Sequence, residues 1–363
     1  MKYRIHLLAL PNSQTTSAYS LCGFCTATRN FCKMLHEMGH EVILYASEEC
    51  DVPYSELVTV ITREEQEVML QATTNAEGKI EATPYQYAHI ESWSPIWQLA
   101  NARMIREIGK RKEPRDFICS IGGGSQQPVA NAHPDVPFIE YSIGYLGSFS
   151  PFRVFESAAW QHTAYAQQNI DARFFDTVIP CSYDESEFPF CATPEPFALY
   201  CGRLIARKGL QIACQAAEAA GVPLKIIGHG DKSLVTHGAE YLGALSEQER
   251  NQWLSRASVV LTPTTYIEPF NQVAIEAQMC GTPVIATDFG GFTETIEQGR
   301  TGFRCSYLGE FVRAIQDAPA LDRQYIRDRA VRQYSYHNVK HQYQRYFDRV
   351  ALLFDQEGWN SLK

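Results

Sequence analysis

Two stretches of the second half of the chain collect residue types suited to holding an anion. The run Gly202-Arg203-Leu204-Ile205-Ala206-Arg207-Lys208-Gly209 sets three cations just ahead of a predicted helix at 208–220. Cations at a helix N-terminus are unfavourable by about 0.3–1 kcal/mol unless an anion joins them. Arg203, Arg207 and Lys208 therefore read either as holders of a phosphate or as a solvated basic turn. The second stretch, Glu268-Pro269-Phe270-Asn271-Gln272, opens a helix predicted over 269–280 that carries Glu276. Pro269 suits the first helical position, with the amides after it left free for an anion. Eight residues of helix set Glu268 and Glu276 about 12 Å apart. Glycosidase carboxylates lie only about 5–9.5 Å apart, so a hydrolytic pair fits poorly. The longer reach suits two hydroxyl-bearing groups at opposite ends of a diphosphate.

These residues need a scaffold, and the pattern around them supplies one. Strands are expected at 3–10, 41–46, 57–62, 117–121 and 137–142. The helix at 21–38 ends at Gly39, His40 is a turn residue, and 73–84 is a loop insertion. A proline-rich, irregular stretch at 181–196 reads as a connection. Beyond it strands are expected at 197–201, 223–227, 240–242, 258–262 and 283–287, with helices between them. Ser246 and Glu249 form a capping box for the helix predicted over Glu247–Arg256. The fold class is α/β: two doubly wound Rossmann-like domains facing across a cleft. Their expected limits are 1–183 and 184–336. A helix within 337–363 packs back on the first domain, and its His337 and His341 are surface residues.

Composition narrows the function. A chain of 363 residues exceeds the size at which one core stops growing, about 250–300 residues. The net charge of −9 argues against a nucleic-acid binder. One basic run, Arg103, Arg106, Lys110, Arg111, Lys112 and Arg115, reads mainly as a solvated helix face, with peripheral docking to an anionic membrane as the minority reading. No apolar stretch approaches the ~18 residues of a membrane span. Eleven cysteines suit a reducing, cytoplasmic setting. Cys22 and Cys25 have dithiol spacing, but they read as small buried or loop cysteines. Ten aromatics between Phe138 and Phe175 are mostly core, with any exposed face suited to sugar stacking. The glycines Gly122-Gly123-Gly124 read either as a tight turn or as amides opened toward an anion or sugar.

Gly202-Arg203 with Lys208-Gly209, Glu268-x7-Glu276, Gly281-Thr282-Pro283-Val284 and Gly290-Gly291 with Glu294 together resemble the family 4 glycosyltransferases. Those have the GT-B fold and retain anomeric configuration. The likeness is specific over 197–302. It is looser in the first half, resting there on the glycine loop at Gly23 and on Gly39-His40-Glu41-Val42. The resemblance implies that Arg203 and Lys208 neutralise a diphosphate, with Gly202 beside it. It implies that Glu276 holds the ribose, and that Glu268 faces the transferred sugar with Phe270, Asn271 and Gln272. Gly228, His229 and Leu242 would border the nucleotide, and Gly23 would complete the donor site. Many relatives carry a histidine after the strand at 137–142, where this chain has Glu140-Tyr141-Ser142. Glu140 is the candidate acceptor-side catalytic group, with a buried structural carboxylate as the competing reading.

The implied activity is transfer of a hexose from a nucleotide diphosphate sugar, UDP-sugar favoured, to an unidentified hydroxyl acceptor such as a glycan or glycolipid. No Asp-x-Asp occurs, so the cations stand in for a metal and no cofactor is expected. The alternatives are a GT-B-type nucleotide-sugar epimerase and the same transferase using GDP-mannose.

Overall fold

The structure is a computed structural model and describes residues 1–70, 73–74, 80–81 and 93–354. Most of the expected loop at 73–84 lies outside these residues. In chain order the first half contains β1 (Arg4–Leu8), α1 (Gly23–Glu37), β2 (Glu41–Ser47), β3 (Glu56–Ile61) and α2 (Arg63–Leu70). A short antiparallel pair, β4 (Thr73–Thr74) and β5 (Ile80–Glu81), precedes α3 (Pro95–Arg111). Then come β6 (Phe117–Ser120), α4 (Gln127–Ala132), β7 (Phe138–Ile143), β8 (Phe152–Phe155), α5 (Ala158–Gln168) and β9 (Thr177–Val178).

The second half runs through β10 (Glu195–Cys201), α6 (Leu210–Ala220), β11 (Leu224–Ile227), β12 (Glu240–Gly243), α7 (Glu247–Arg256) and β13 (Ala257–Thr262). It continues with α8 (Gln272–Met279), β14 (Val284–Thr287), α9 (Phe292–Thr295), β15 (Gly302–Cys305), α10 (Leu308–Asp317), α11 (Arg323–Tyr334) and α12 (Tyr336–Phe354). The chain divides into two compact units. One comprises Met1–Glu156, Thr163–Ser182 and Val339–Lys363, and the other Ser157–His162 and Tyr183–Asn338.

The first unit is built on a parallel sheet of order β3-β2-β1-β6-β7-β8-β9. Its central strands are covered on both faces, and four of the five residues of β1 are buried. His6 is fully buried there, its ring nitrogens bonded to the Tyr45 hydroxyl at 2.9 Å and to Asp116 at 3.0 Å. His40 is likewise more than a turn residue. It is buried, and its Nδ1 accepts the Tyr3 amide at 3.1 Å. Tyr343 and Phe347 of α12 join Phe31, Tyr3 and Phe117 in an aromatic cluster of this unit.

The basic helix face is neutralised from within the same unit. Arg103 pairs with Glu65, Arg111 with Glu56 and Glu107, Lys110 and Arg106 with Glu107, and Lys112 with Asp135. Cys25 is buried, its thiol donates to the Gln14 carbonyl, and burial pushes its pKa far up, so it is no reactive thiolate.

The second unit has a parallel sheet of order β12-β11-β10-β13-β14-β15. Chain order reverses between β10 and β13, and in open α/β sheets ligands bind beyond the carboxyl ends of strands at that switch point. The β10 segment Phe-Ala-Leu-Tyr-Cys is buried throughout, and its Ala198 and Tyr200 join Leu204, Leu210, Ala213 and Ile226 in one core cluster. Leu204 anchors the loop after Cys201 in that cluster.

Candidate active site

The carboxyl ends of β10, β11 and β12 are stitched together by backbone. The Gly202 amide donates to Ile227 O at 3.0 Å, Leu204 to His229 O at 2.8 Å, and Gly228 to Gly243 O at 2.9 Å. Gly228 has φ +148, and a Cβ there would lie 1.8 Å from the Gly202 carbonyl oxygen, so only glycine fits the approach. Gly202, Gly228, half-buried His229 and half-buried Leu242 thus share one edge of the second unit.

Arg207 and Lys208 arrive on a short 3-10 turn, Ala206–Lys208, and α6 begins at Leu210 rather than at the expected 208. Gly209 separates the two, in the left-handed region at φ +72. The next loop of the switch point, after β13, closes on this turn: Thr265 donates its amide to Arg207 O at 2.9 Å. Lys208 reaches Glu268, its Nζ lying 2.8 and 3.0 Å from the two carboxylate oxygens. Tyr266 lies beneath both Arg207 and Lys208, with ring centroid distances of 4.8 and 5.2 Å. Sequence reasoning missed Tyr266, because a lone aromatic in a loop carries no periodic signal. Arg203 is exposed and forms no ion pair among the described residues.

Burial lowers the Lys208 pKa; Arg203 and Arg207 push the same way, and Glu268 opposes them. Burial also raises the Tyr266 phenol, with Glu268 adding to it. The site therefore concentrates three cations against one carboxylate, a positive surplus that attracts an anion at this edge.

The stretch after Glu268 departs from expectation. Helix α8 begins at Gln272, not at Pro269. Asn271 stands outside it at φ +66, and its side chain accepts the Ala274 amide at 3.0 Å as the N-cap. Glu268 and Glu276 are thus not on one helix, and the 12 Å axial spacing does not describe them. Glu268 instead sits on a loop gripped by the glycine turn that follows β14. The Gly291 amide donates to Glu268 O at 2.8 Å, and a Cβ on Gly290 (φ +65) would lie 2.8 Å from that same oxygen. Phe270 is buried edge-on to Tyr334.

Glu276, inside α8, is 3% exposed. One carboxylate oxygen takes a hydrogen bond from Arg250 at 3.2 Å; the other, Oε2, has no partner among the described residues.

Two expected site residues lie in the first unit. Gly23 is the exposed first residue of α1. Glu140 is fully buried in β7, and its Oε2 accepts the amides of Phe149 and Ser150 at 2.8 and 2.7 Å, while Oε1 accepts the Tyr145 hydroxyl. Burial raises its pKa against those bonds. These bonds tie it to the loop that follows β7. The Gly122 amide is similarly engaged, donating to the Gln126 side chain at 3.0 Å.

Two units, each with a parallel sheet, are what a GT-B fold is built from. Residues 195–318 match the family described as glycosyl transferases group 1. Glycogen synthase of Mycobacterium tuberculosis is 33% identical over 181 residues, which covers 43% of this chain and 43% of that protein. The phosphatidyl-myo-inositol mannosyltransferase of Propionibacterium freudenreichii is 33% identical over 103 residues, or 26% of this chain and 27% of its own length. The chain thus matches less than half the length of these relatives. Among solved structures, a glycosyltransferase involved in avilamycin A biosynthesis superposes with a TM-score of 0.72 at 19% identity, covering 96% of this chain and 98% of the other. The Anabaena protein HepE, in complex with UDP and glucose, superposes with a TM-score of 0.67 at 15% identity, covering 96% and 100%. These likenesses establish the fold.

Proposed function

We propose that the protein is a retaining glycosyltransferase moving a hexose from a UDP-sugar to a hydroxyl of a glycan or glycolipid. The observation that carries this is the cation cluster at the switch point of the second sheet, where Lys208 pairs with Glu268 beside exposed Arg203. It lies inside the segment that matches the glycosyltransferase family. HepE holds UDP and glucose in its own crystal structure, which favours UDP as the nucleotide.

Departure of a nucleoside diphosphate builds negative charge on the β-phosphate. Lys208, held by Glu268, and Arg203 beside it stabilise that charge. Glu268 orients the sugar, with Phe270, Asn271 and Gln272 beside it. Glu276 takes the ribose hydroxyls, and Gly202, Gly228, His229 and Leu242 border the nucleotide. Retention follows if the acceptor attacks on the face the diphosphate leaves, the phosphate oxygen taking its proton. No metal is required, because the cations already offset the diphosphate.

The test is incubation with UDP-glucose and a mixture of glycan and polyol acceptors. UDP release together with an α-linked product, read by NMR, supports the proposal. An inverted linkage removes the retaining mechanism, and an epimerised donor formed without acceptor points to the epimerase instead.

A further inference from the structure

Arg250 is a charged residue buried in a place where a helix of this kind would ordinarily carry an aliphatic one. It lies on the inward stripe of α7 with Asn251 and Leu254, and is 4% exposed. Burying a guanidinium is costly unless a partner compensates it. Its Nη2 faces Glu276 at 3.2 Å, with Glu247 of its own helix more distant at 3.9 Å. Burial by itself would depress the Arg250 pKa, yet Glu276, Cys201 and Glu247 together hold it above its ordinary value, so the guanidinium stays charged.

The carboxylate it meets is in an unusual position. Burial pushes the Glu276 carboxyl up, Glu247 and Glu187 push the same way, and Arg250 is the group that pulls it back. Only one oxygen of Glu276 is used by Arg250, and Oε2 is buried with no hydrogen-bond partner among the described residues. A buried carboxylate oxygen left without a donor is a debt that an incoming hydroxyl can settle.

We infer that Arg250 is a positioning residue of the donor site: its guanidinium holds one oxygen of the Glu276 carboxylate so that the other is presented to the ribose hydroxyls of the nucleotide. The inference rests on the reading of Glu276 as the ribose-binding residue. Arg250 touches no substrate. It fixes both the charge and the rotamer of the group that does. A protonated Glu276 would carry an O–H donor on one oxygen and no negative charge, so the ribose diol would lose a charge-assisted bond.

The experiment measures calorimetric affinities for UDP and for 2′,3′-dideoxy-UDP, which lacks the diol. Wild type, Arg250→Met, Arg250→Lys and Glu276→Gln are compared, with circular dichroism confirming that each is folded. Wild type should bind UDP at least tenfold more tightly than the dideoxy compound. Arg250→Met should lose about tenfold for UDP and keep its dideoxy-UDP affinity within about twofold, matching Glu276→Gln. Arg250→Lys should recover UDP binding to within about threefold of wild type. Equal losses for both ligands in Arg250→Met would reduce Arg250 to a fold-holding residue and overturn the inference. Equal wild-type affinity for the two ligands would remove Glu276 from the ribose, and the inference with it. A wild type that binds neither ligand would contradict the function proposed above, a distinct failure.

Discussion

Lys208→Met separates what the lysine does for the fold from what it does for the reaction. In the folded protein Nζ lies 2.8 Å from Glu268, and the side chains are 17% and 7% exposed. Deleting one partner of a buried pair leaves the other charge uncompensated, at about 3–5 kcal/mol. The residual exposure of Lys208 argues for the low end, about 3 kcal/mol. The effect on the reaction is separate. Losing one preorganised donor to the developing diphosphate charge should lower kcat about 10²–10³-fold. Glu268→Gln in the same chain should restore most of the stability, because no lone buried carboxylate remains, while kcat stays low. Arg203→Met provides the clean control. Arg203 is exposed, so its loss should leave stability within about 0.5 kcal/mol and still depress kcat strongly. The two cations serve one diphosphate, so the double variant should fall short of the product of the singles. The assays are urea denaturation and steady-state kinetics at varied donor. A rise in KM alone, with kcat held within about threefold, would mean the cations bind the ground state only and would refute the mechanism.

Three further outcomes are expected. His40 is buried with its pKa lowered from 6.5 to about 4, chiefly by burial, and it must stay neutral to accept the Tyr3 amide. Its contribution is present above pH 6.5 and lost as pH falls from there through about 4, up to about 3 kcal/mol in size. His40→Gln should therefore flatten that part of the stability–pH curve, and a slope unchanged from wild type would show that other groups produce it. Gly290→Ala forces a Cβ against the Glu268 backbone at φ +65 and should cut kcat at least tenfold, measured at saturating donor. Turnover should survive EDTA, and its collapse with rescue by magnesium or manganese would overturn the assignment of charge neutralisation to Arg203 and Lys208.

Much of the second unit was legible because its signals are local. The cations before α6, the glycines at strand ends and the capping box of Ser246 and Glu249 each depend on near neighbours in sequence, and the box forms as read. The start of α8 was misread because proline at a first helical position is a statistical preference. Asn271 at φ +66, two residues after Pro269, instead serves as the cap. Tertiary pairing was the least visible layer. Arg250 looks like an ordinary surface arginine until its place on the buried stripe of α7, four residues before Leu254, is noticed. Glu140 is held by the amides of Phe149 and Ser150 and His40 by that of Tyr3, and no spacing rule encodes those. The basic face of α3 was legible as charge, but its partners on β3, α2 and the loop before β7 were not.

The central claim is that a nucleoside diphosphate is held by the cations at the carboxyl edge of the second sheet. Titrating UDP into the wild-type chain and into Arg203→Met by calorimetry tests it most directly. One site per chain is expected in the wild type, with at least a fivefold loss of affinity in the variant, which keeps its fold because Arg203 is exposed. Wild-type affinity in Arg203→Met, or no binding of UDP by the wild type, would contradict it.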